Sequence, residues 1–413
     1  MTSTLPHLPS DFYDYSEPLR RVRQAAFSRQ VSPDAVLAVT LCRVAASLPP
    51  GIALPENGSL NFVAALVGAP GTGKTKAMRC ATDLLPDIGT RNDGLPIGSG
   101  EGIASAYVGK ADESGTNPMV NTSALFHVDE GSRLMTLGKR EGSTVFDTIR
   151  ECWSGSTIGS MNASLDRRRI VKAGTYRFAL AVGFQPVFAA ELLNESVAGD
   201  PQRYLFAGVT HPDITDRPIP FPDQIHLVNT GTIESTVLNV DAGVVAGIRK
   251  RRAAVGRGDI VANVYDAHRD LLTLKVAALL SYLDGSGDVT ADLWELAGYV
   301  VGNGQNVQQH LASSTQADRL ERERERIALD VMRDTMRDDS RRERVRNSMA
   351  KSMIRKARSE GKPVTKSTLI TAVAGKHREF VPVDEVIDYA CEHETDDGRL
   401  TRNGDYFAYV PAA

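Results

Sequence analysis

The residues best suited to chemistry lie in one glycine-rich segment, Gly68-Ala69-Pro70-Gly71-Thr72-Gly73-Lys74-Thr75. It matches G-x-x-x-x-G-K-[ST] in full. Glycines let backbone N–H groups converge on phosphate oxygens where a helix begins. Lys74 can neutralise the β- and γ-phosphates, and the Thr75 hydroxyl can bind Mg²⁺. The segment therefore predicts a site for ATP and Mg²⁺ formed by Gly68, Gly71, Thr72, Gly73, Lys74 and Thr75.

Two adjacent carboxylates, Asp129 and Glu130, follow the apolar run Ala124–Val128. Asp129 is placed to hold Mg²⁺ through water, and Glu130 to polarise an attacking water. Glu101, in the segment GSGEG, is an alternative base at about the point where RecA-type folds place theirs. The other interpretation is a strand end with two solvated acids.

Four short apolar runs have the length and composition of buried strands. They are Leu60–Val67, Ala124–Val128, Phe178–Val182 and Tyr204–Val209. Helical patterns separate them, and a longer helical pattern covers Tyr13 to about Leu48. Alternating strands and helices predict an α/β fold with a parallel sheet covered by helices on both faces.

The chain divides into five predicted regions. They are an N-terminal helical region (1–58, with 1–10 as a loose tail), a P-loop core (59–230), a helical lid (231–315, changing character near Thr232), a charged helical linker (316–344) and a winged-helix domain (345–413). In the linker, Glu321/Arg324 and Glu323/Arg326 have the i,i+3 spacing of an exposed helix. Asn403-Gly404 predicts a terminal hairpin.

Composition narrows the classes of function. The 413 residues include 48 Lys+Arg and 51 Asp+Glu, which gives a net charge of −3. This balance excludes a protein that coats nucleic acid through an overall basic surface. The four cysteines lie far apart, which argues against a zinc ribbon or redox pair. The N-terminus is polar, and no apolar run approaches the ~20 residues that span a bilayer. We therefore expect a soluble, cytoplasmic protein without a membrane partner.

The order of these motifs resembles the ATPase core of the AAA+ superfamily. After the loop and the Asp-Glu strand come a strand ending at Gln185 and an arginine, Arg203, before the next strand. The resemblance implies that Gln185 is the sensor-1 residue, although that residue is more usually Asn, Thr or Ser. It also implies that Arg203 is an arginine finger reaching the neighbouring subunit's site.

Residues 266–277 and 289–297 look like the lid of minichromosome-maintenance and related helicases. In that lid a basic residue acts as sensor 2, which points to Lys275 or Arg269. The span 13–310 also resembles primase-associated, helicase-like ATPases of phages, plasmids and integrated mobile elements, through GAPGTGKT and Gln185-Pro186. This resemblance implies a homo-oligomeric ring, taken as a hexamer.

A basic segment precedes the third strand. Its cations are Arg167, Arg168, Arg169 and Lys172. Residues 157–160 and 169–171 can pair as a hairpin, and superfamily 3 and minichromosome-maintenance helicases grip single-stranded DNA with a hairpin at this point. The segment has few aromatic residues, so a grip on phosphates is favoured over base reading. The alternative is a basic loop paired with surface acids.

Two further basic regions are weaker candidates. The first, interpreted as a solvated helix face, is Arg249–Arg252 with Arg257. In the winged helix, acids on the third helix argue against base reading. DNA contact there would use Arg355, Lys356, Arg358, Lys366, Arg399 and Arg402. Docking of a protein is the alternative for this domain.

The sequence thus predicts an ATP-dependent ring motor that translocates on single-stranded DNA, as a replicative helicase of a phage or mobile element would. A primase or polymerase partner would supply priming. Two alternatives stay open. One is a helicase loader or replication initiator that remodels protein–DNA complexes without unwinding. The other is a nucleotide-dependent assembly switch in defence.

Overall fold

The computed structural model describes residues 5–194, 200–227, 236–260 and 268–412, without the side chains of 315–322. The chain forms two compact units, Met1–Gln316 and Ala317–Ala413. Thr232, where the helical character was predicted to begin, lies outside the described residues, as does Asp266 of the predicted lid. The side chain of Glu321, and hence the predicted Glu321/Arg324 pair, also lies outside them.

The helices are α1 (Glu17–Ser28), α2 (Pro33–Ser47), α3 (Lys74–Leu84), α4 (Gly100–Ser105), α5 (Gly131–Gly138), α6 (Val145–Ser154), α7 (Pro186–Asn194), α8 (Ala242–Arg257), α9 (Arg269–Leu283), α10 (Ala291–Glu360), α11 (Lys366–Ile370), α12 (Gly375–Arg378) and α13 (Val383–Glu392). The strands are β1 (Ile52–Ala53), β2 (Phe62–Val67), β3 (Ser123–Val128), β4 (Ile158–Ser160), β5 (Arg169–Val171), β6 (Arg177–Phe184), β7 (Leu205–Gly208), β8 (Thr236–Val237), β9 (Val364–Thr365), β10 (Arg399–Asn403) and β11 (Tyr406–Val410). Strands and helices alternate through the first unit, as predicted for an α/β fold.

A four-stranded parallel sheet in the order β3-β6-β2-β7 organises the first unit. Its members are the four predicted strands, so that prediction is confirmed. All four are apolar and almost entirely buried. Because the strands are parallel, β2, β3 and β6 all end at one side of the sheet, called the carboxyl edge here. The opposite side is the amino edge.

The N-terminal region differs from its prediction in two ways. The single helix expected from Tyr13 to Leu48 is two helices, α1 and α2, separated near Gln30, whose φ of 52° is incompatible with a continuous helix. Leu5 and Leu8 are buried, so this part of the expected loose tail is packed. Helix α2 packs against all four strands of the sheet, which explains its nearly complete burial.

The second unit has its own hydrophobic core, which includes Met353, Ile387 and Phe407. Its antiparallel sheet has the order β10-β11-β9. The predicted hairpin is confirmed, with Gly404 of its turn at φ 59°. Strand β9 was not predicted, because two residues are too few for a hydrophobic pattern.

Within the described residues, no helix is both long enough and apolar enough to cross a bilayer.

Candidate nucleotide-binding site

The glycine-rich loop joins the end of β2 at Val67 to the start of α3 at Lys74. Gly71 and Gly73 have φ values of 77° and 102°, a region that residues with a Cβ rarely adopt. A Cβ on Gly68 would lie 2.1 Å from Cγ2 of Val209. The three glycines are therefore required by backbone shape and close packing. The loop leads directly into a helix N-terminus, where backbone N–H groups can bind an anion.

The Lys74 side chain lies against this loop and is 7% exposed. Its Nζ donates to the carbonyl oxygens of Gly68 and Ala69, both at 2.9 Å. Burial lowers the pKa of Lys74, while the Glu130 carboxylate acts in the opposite direction. The ammonium is thus held at the loop within electrostatic range of Glu130.

The two predicted carboxylates, Asp129 and Glu130, follow β3 at the carboxyl edge, and both are exposed. Gly183 of β6 places them near the loop. A Cβ on Gly183 would lie 2.6 Å from the Asp129 carbonyl oxygen and 3.4 Å from Cδ of Lys74. Because this position has no side chain, Lys74 and the Asp129 backbone can both approach β6. Sequence reasoning missed Gly183, since its role depends on a contact across three strands.

An open cleft of about 680 Å³ lies at the carboxyl edge beside the start of α3. Thr75, Asp129 and Glu130 all line it, so a hydroxyl and two carboxylates share one solvent-accessible space. His127 lines the same cleft, and burial lowers its pKa, which favours the neutral ring. Sequence reasoning also missed His127, because one histidine in an apolar strand carries no distinctive signal.

This donor set fits Mg²⁺ bound together with a nucleotide. Mg²⁺ is usually held by one or two protein groups plus phosphate and water oxygens. Thr75 and Asp129 supply two such groups. Among the described residues there is no group of three or more His, Cys, Asp or Glu side chains that could hold a metal alone.

Gln185 follows β6 directly, and the structure places it beside the loop. The carbonyl oxygen of Phe184 accepts a hydrogen bond from the Gly68 N–H at 3.1 Å. The Gln185 carbonyl accepts from the N–H groups of Phe188 and Ala189, each at 3.0 Å, at the start of α7. Gln185 therefore lies next to the phosphate loop, and its contact with nucleotide stays a prediction.

The prediction that Lys275 binds nucleotide is wrong. Lys275 is 1% exposed, and its Nζ donates to the carbonyl oxygens of Asn61 (2.7 Å) and Trp153 (2.6 Å). Asn61 precedes β2 and Gly68 follows it, so the length of the strand, about 20 Å, separates Lys275 from the loop. Its ammonium lies 3.8 Å from the centroid of the Trp153 ring. Lys275 is enclosed by its own chain and is inaccessible to a ligand.

Arg203 also lies at the amino edge, in the turn Pro201–Arg203 before β7. Its guanidinium is 5.6 Å from the Trp153 ring centroid, and partial burial lowers its pKa. Arg269, the other sensor-2 candidate, begins α9 beside Gln202 and Tyr204. Arg203 therefore does not approach the phosphate loop of its own chain, and a role at a neighbour's site stays a prediction.

The basic segment before β6 forms the predicted hairpin, with β4 antiparallel to β5. Arg167 and Lys172 are exposed. Arg168 and Arg169 are only part exposed, because they donate to carbonyl oxygens of Asn162 (3.3 Å) and Asp166 (3.0 Å). Of the four cations, only Arg167 and Lys172 are thus exposed to solvent.

Asn117 holds this hairpin in place. Its amide nitrogen donates to the Arg168 carbonyl at 2.8 Å, and its amide oxygen accepts from the Ile170 N–H at 3.0 Å. Lys110 pairs with Asp166 at 2.6 Å, which neutralises the acid nearest the arginines. Nothing in the sequence pattern indicates these long-range contacts.

Many basic side chains on α8 and in the second unit form ion pairs with acids. On α8 the pairs are Arg251–Asp270, Arg252–Glu56 and Arg257–Asp259. In the second unit they are Arg342–Glu385, Arg355–Asp397, Lys356–Glu360, Lys366–Asp384 and Arg402–Asp388. Arg358 and Arg399, also predicted to contact DNA, have no acidic partner among the described residues. The acids of α13 are thus largely compensated within their own unit.

Comparison with known proteins finds no matching family model and no matching curated protein. Among solved structures, the chain is similar to a full-length MCM homolog from Methanopyrus kandleri, with 13% identity and a TM-score of 0.36. The match covers 74% of this chain and 64% of that structure, which is less than two thirds of its length.

Proposed function

We propose that this chain is an AAA+-type ATPase whose catalytic site lies at the carboxyl edge of the sheet. One observation carries the proposal. Thr75, Asp129 and Glu130 come from two distant segments, yet they line one open cleft, and Lys74 precedes Thr75 with Glu130 close enough to act on its pKa.

The geometry supports hydrolysis of a nucleoside triphosphate. Backbone N–H groups of the loop and the Lys74 ammonium bind and neutralise the phosphates. Thr75 and Asp129 would hold Mg²⁺, which would offset negative charge on the phosphates. Glu130, being exposed to the cleft, accepts a proton from water as the water oxygen attacks the γ-phosphorus. The bond to the β,γ-bridging oxygen breaks, giving ADP and phosphate.

Single-stranded DNA is the proposed track of the motor. The hairpin presents Arg167 and Lys172 to solvent, and its Met161 side chain is 71% exposed. Helix α4 connects this hairpin with the cleft. Ile97 lines the cleft, and α4 begins three residues later and packs against β4 and β5. A change at the cleft can therefore reach the hairpin through one short helix.

The remaining parts of the proposal rest on the family resemblance. The chain would act as a ring, taken as a hexamer, with Arg203 reaching a neighbour's site and Gln185 contacting the γ-phosphate. The second unit would be a winged helix. The biological role would be that of a replicative helicase of a phage or mobile element, with priming supplied by a partner.

Steady-state ATP hydrolysis with and without oligo-dT tests this proposal. Arg167→Ala/Lys172→Ala should keep the basal rate and lose most of the DNA stimulation, because these cations neutralise phosphates. Arg249→Ala/Lys250→Ala on α8 removes the same charge elsewhere and should be stimulated like wild type. Hydrolysis that is unaffected by oligo-dT in the wild type would contradict the DNA motor.

A further inference from the structure

The cleft beside α3 contains two arginines that the proposed hydrolysis does not use. Arg79 of α3 and Arg133 of α5 both line it, as do Asp129 and Glu130. Both arginines are exposed. Among the residues that the structure describes, neither guanidinium forms an ion pair or a hydrogen bond. These two residues, the cleft arginines, are therefore available to an anion that enters the cleft.

The cleft arginines lie next to the groups proposed to surround the γ-phosphate. Arg79 follows Thr75 by one turn on the same side of α3, a rise of about 6 Å. Helical side chains tilt toward the N-terminus, so Arg79 extends toward the turn that holds Thr75. Arg133 lies in the first turn of α5, and its N–H donates to the Glu130 carbonyl at 3.0 Å. Two elements thus each bring one cation to the same space.

Nearby acids do not account for these cations. Asp83 and Asp93 each adjoin a residue of the cleft wall in the sequence. Asp93 pairs with the fully buried Arg43 at 3.0 Å, and Asp83 pairs with Arg29 at 3.2 Å. The charge of both acids is thus offset by other arginines. The two carboxylates that line the cleft itself are the pair that the proposed reaction uses.

The product of the proposed reaction gives these cations a role. Hydrolysis leaves phosphate as a separate anion beside Asp129 and Glu130, and both carboxylates repel it. Arginine binds phosphate through paired N–H donors and keeps its charge throughout the working pH range. We infer that the cleft arginines form a binding site for the inorganic phosphate released by hydrolysis.

This inference rests on the proposed function, which supplies the identity of the anion. It assigns two positions to phosphate groups at the carboxyl edge: the glycine-rich loop for those of ADP, and the cleft arginines for the released product. Because saturating ADP would occupy the loop, free phosphate should then bind at the cleft arginines. Phosphate binding to the ADP complex therefore isolates the inferred site, and its measurement requires no hydrolysis.

Equilibrium dialysis of radiolabelled inorganic phosphate against the full chain, saturated with ADP and Mg²⁺, tests the inference. Arg79→Ala/Arg133→Ala should weaken phosphate binding at least tenfold, because each arginine supplies charge-assisted hydrogen bonds. Arg79→Lys/Arg133→Lys keeps both charges but not the paired donors, and should recover part of the affinity. Arg91→Ala/Arg140→Ala removes the same charge at exposed arginines that do not line the cleft, and should bind phosphate like wild type.

ADP affinity, measured on the same samples, verifies that each variant keeps a folded nucleotide site. Three results would overturn the inference. The first is a wild-type ADP complex that binds no phosphate. The second is equal phosphate affinity in the two alanine double variants, which would leave the cleft arginines to an acidic group of another protein chain. The third is a loss of ADP affinity in Arg79→Ala/Arg133→Ala as large as its loss of phosphate affinity, which would show a general defect. Arginine-dependent phosphate binding by a wild type that does not hydrolyse ATP would overturn the proposed function alone.

Discussion

The two edges of the central sheet each hold a buried lysine bonded to two main-chain carbonyls, yet the surroundings differ. At the carboxyl edge, Lys74 binds the Gly68 and Ala69 carbonyls beside an open cleft with two exposed carboxylates. At the amino edge, Lys275 binds the Asn61 and Trp153 carbonyls and packs on an indole ring. Charge and hydrogen bonding alone do not distinguish them.

The two lysines differ in their access to solvent and in the charges that lie near them. Thr75, the residue after Lys74, lines an open cleft, and Glu130 of the same cleft is close enough to influence the pKa of Lys74. Burial lowers the pKa of Lys275 well below the ordinary value, and two other cations, Arg177 and Arg203, act in the same direction. The first lysine is therefore suited to bind an anion, and the second to join structural elements. The following predictions test this contrast.

The largest effect is expected from Lys74→Ala. Removing the ammonium leaves the phosphates without their nearest cation, and we expect ATP turnover to fall by at least about 10³-fold. Phosphate release measures this loss. Turnover at the wild-type rate in this variant would contradict the assignment of the catalytic site to the carboxyl edge.

Lys275→Ala should change stability rather than nucleotide binding. It removes two hydrogen bonds and leaves a cavity beside Trp153, which should cost about 3 kcal/mol in the free energy of unfolding. Affinity for ATP should stay within about twofold of wild type. Lys275→Met, which keeps most of the apolar stem, serves as the control and should cost less. A tenfold loss of ATP affinity with unchanged stability would reverse the assignment of the two lysines.

The smallest effect concerns His268, whose ring centroid lies 5.3 Å from that of Trp153. Burial, with smaller contributions from Arg203 and Lys275, lowers its pKa from 6.5 to about 4. Between these pH values the unfolded chain binds more protons, so acidification from pH 7 toward pH 4 favours unfolding. The Tm of His268→Gln should therefore fall by about 2 °C less than the Tm of the wild type over the same change in pH. Parallel Tm curves for the two proteins would contradict the buried amino-edge cluster.

Local pattern was sufficient for the carboxyl edge. The glycine loop and the Asp129-Glu130 pair are contiguous motifs, and strands β2, β3, β6 and β7 follow from short apolar runs. Parallel strands then bring their ends together without further information. The geometry at Gly183 was unpredictable, because it depends on the relative position of three strands.

The amino edge could not be predicted in the same way. Lys275 was assigned by resemblance to a lid, although its neighbours Leu274 and Val276 already indicated burial. Its acceptors are main-chain carbonyls from two distant segments, and main-chain groups leave no signature in a sequence. The same holds for Asn117, which fixes the hairpin through main-chain contacts.

The central claim is that Glu130 activates water at the cleft. It is tested most directly by comparing wild type with Glu130→Gln for ATP affinity and single-turnover hydrolysis. The amide keeps the shape but cannot accept the proton, so affinity should be unchanged and hydrolysis should fall about 10²- to 10⁴-fold. Hydrolysis at the wild-type rate by Glu130→Gln would contradict the account.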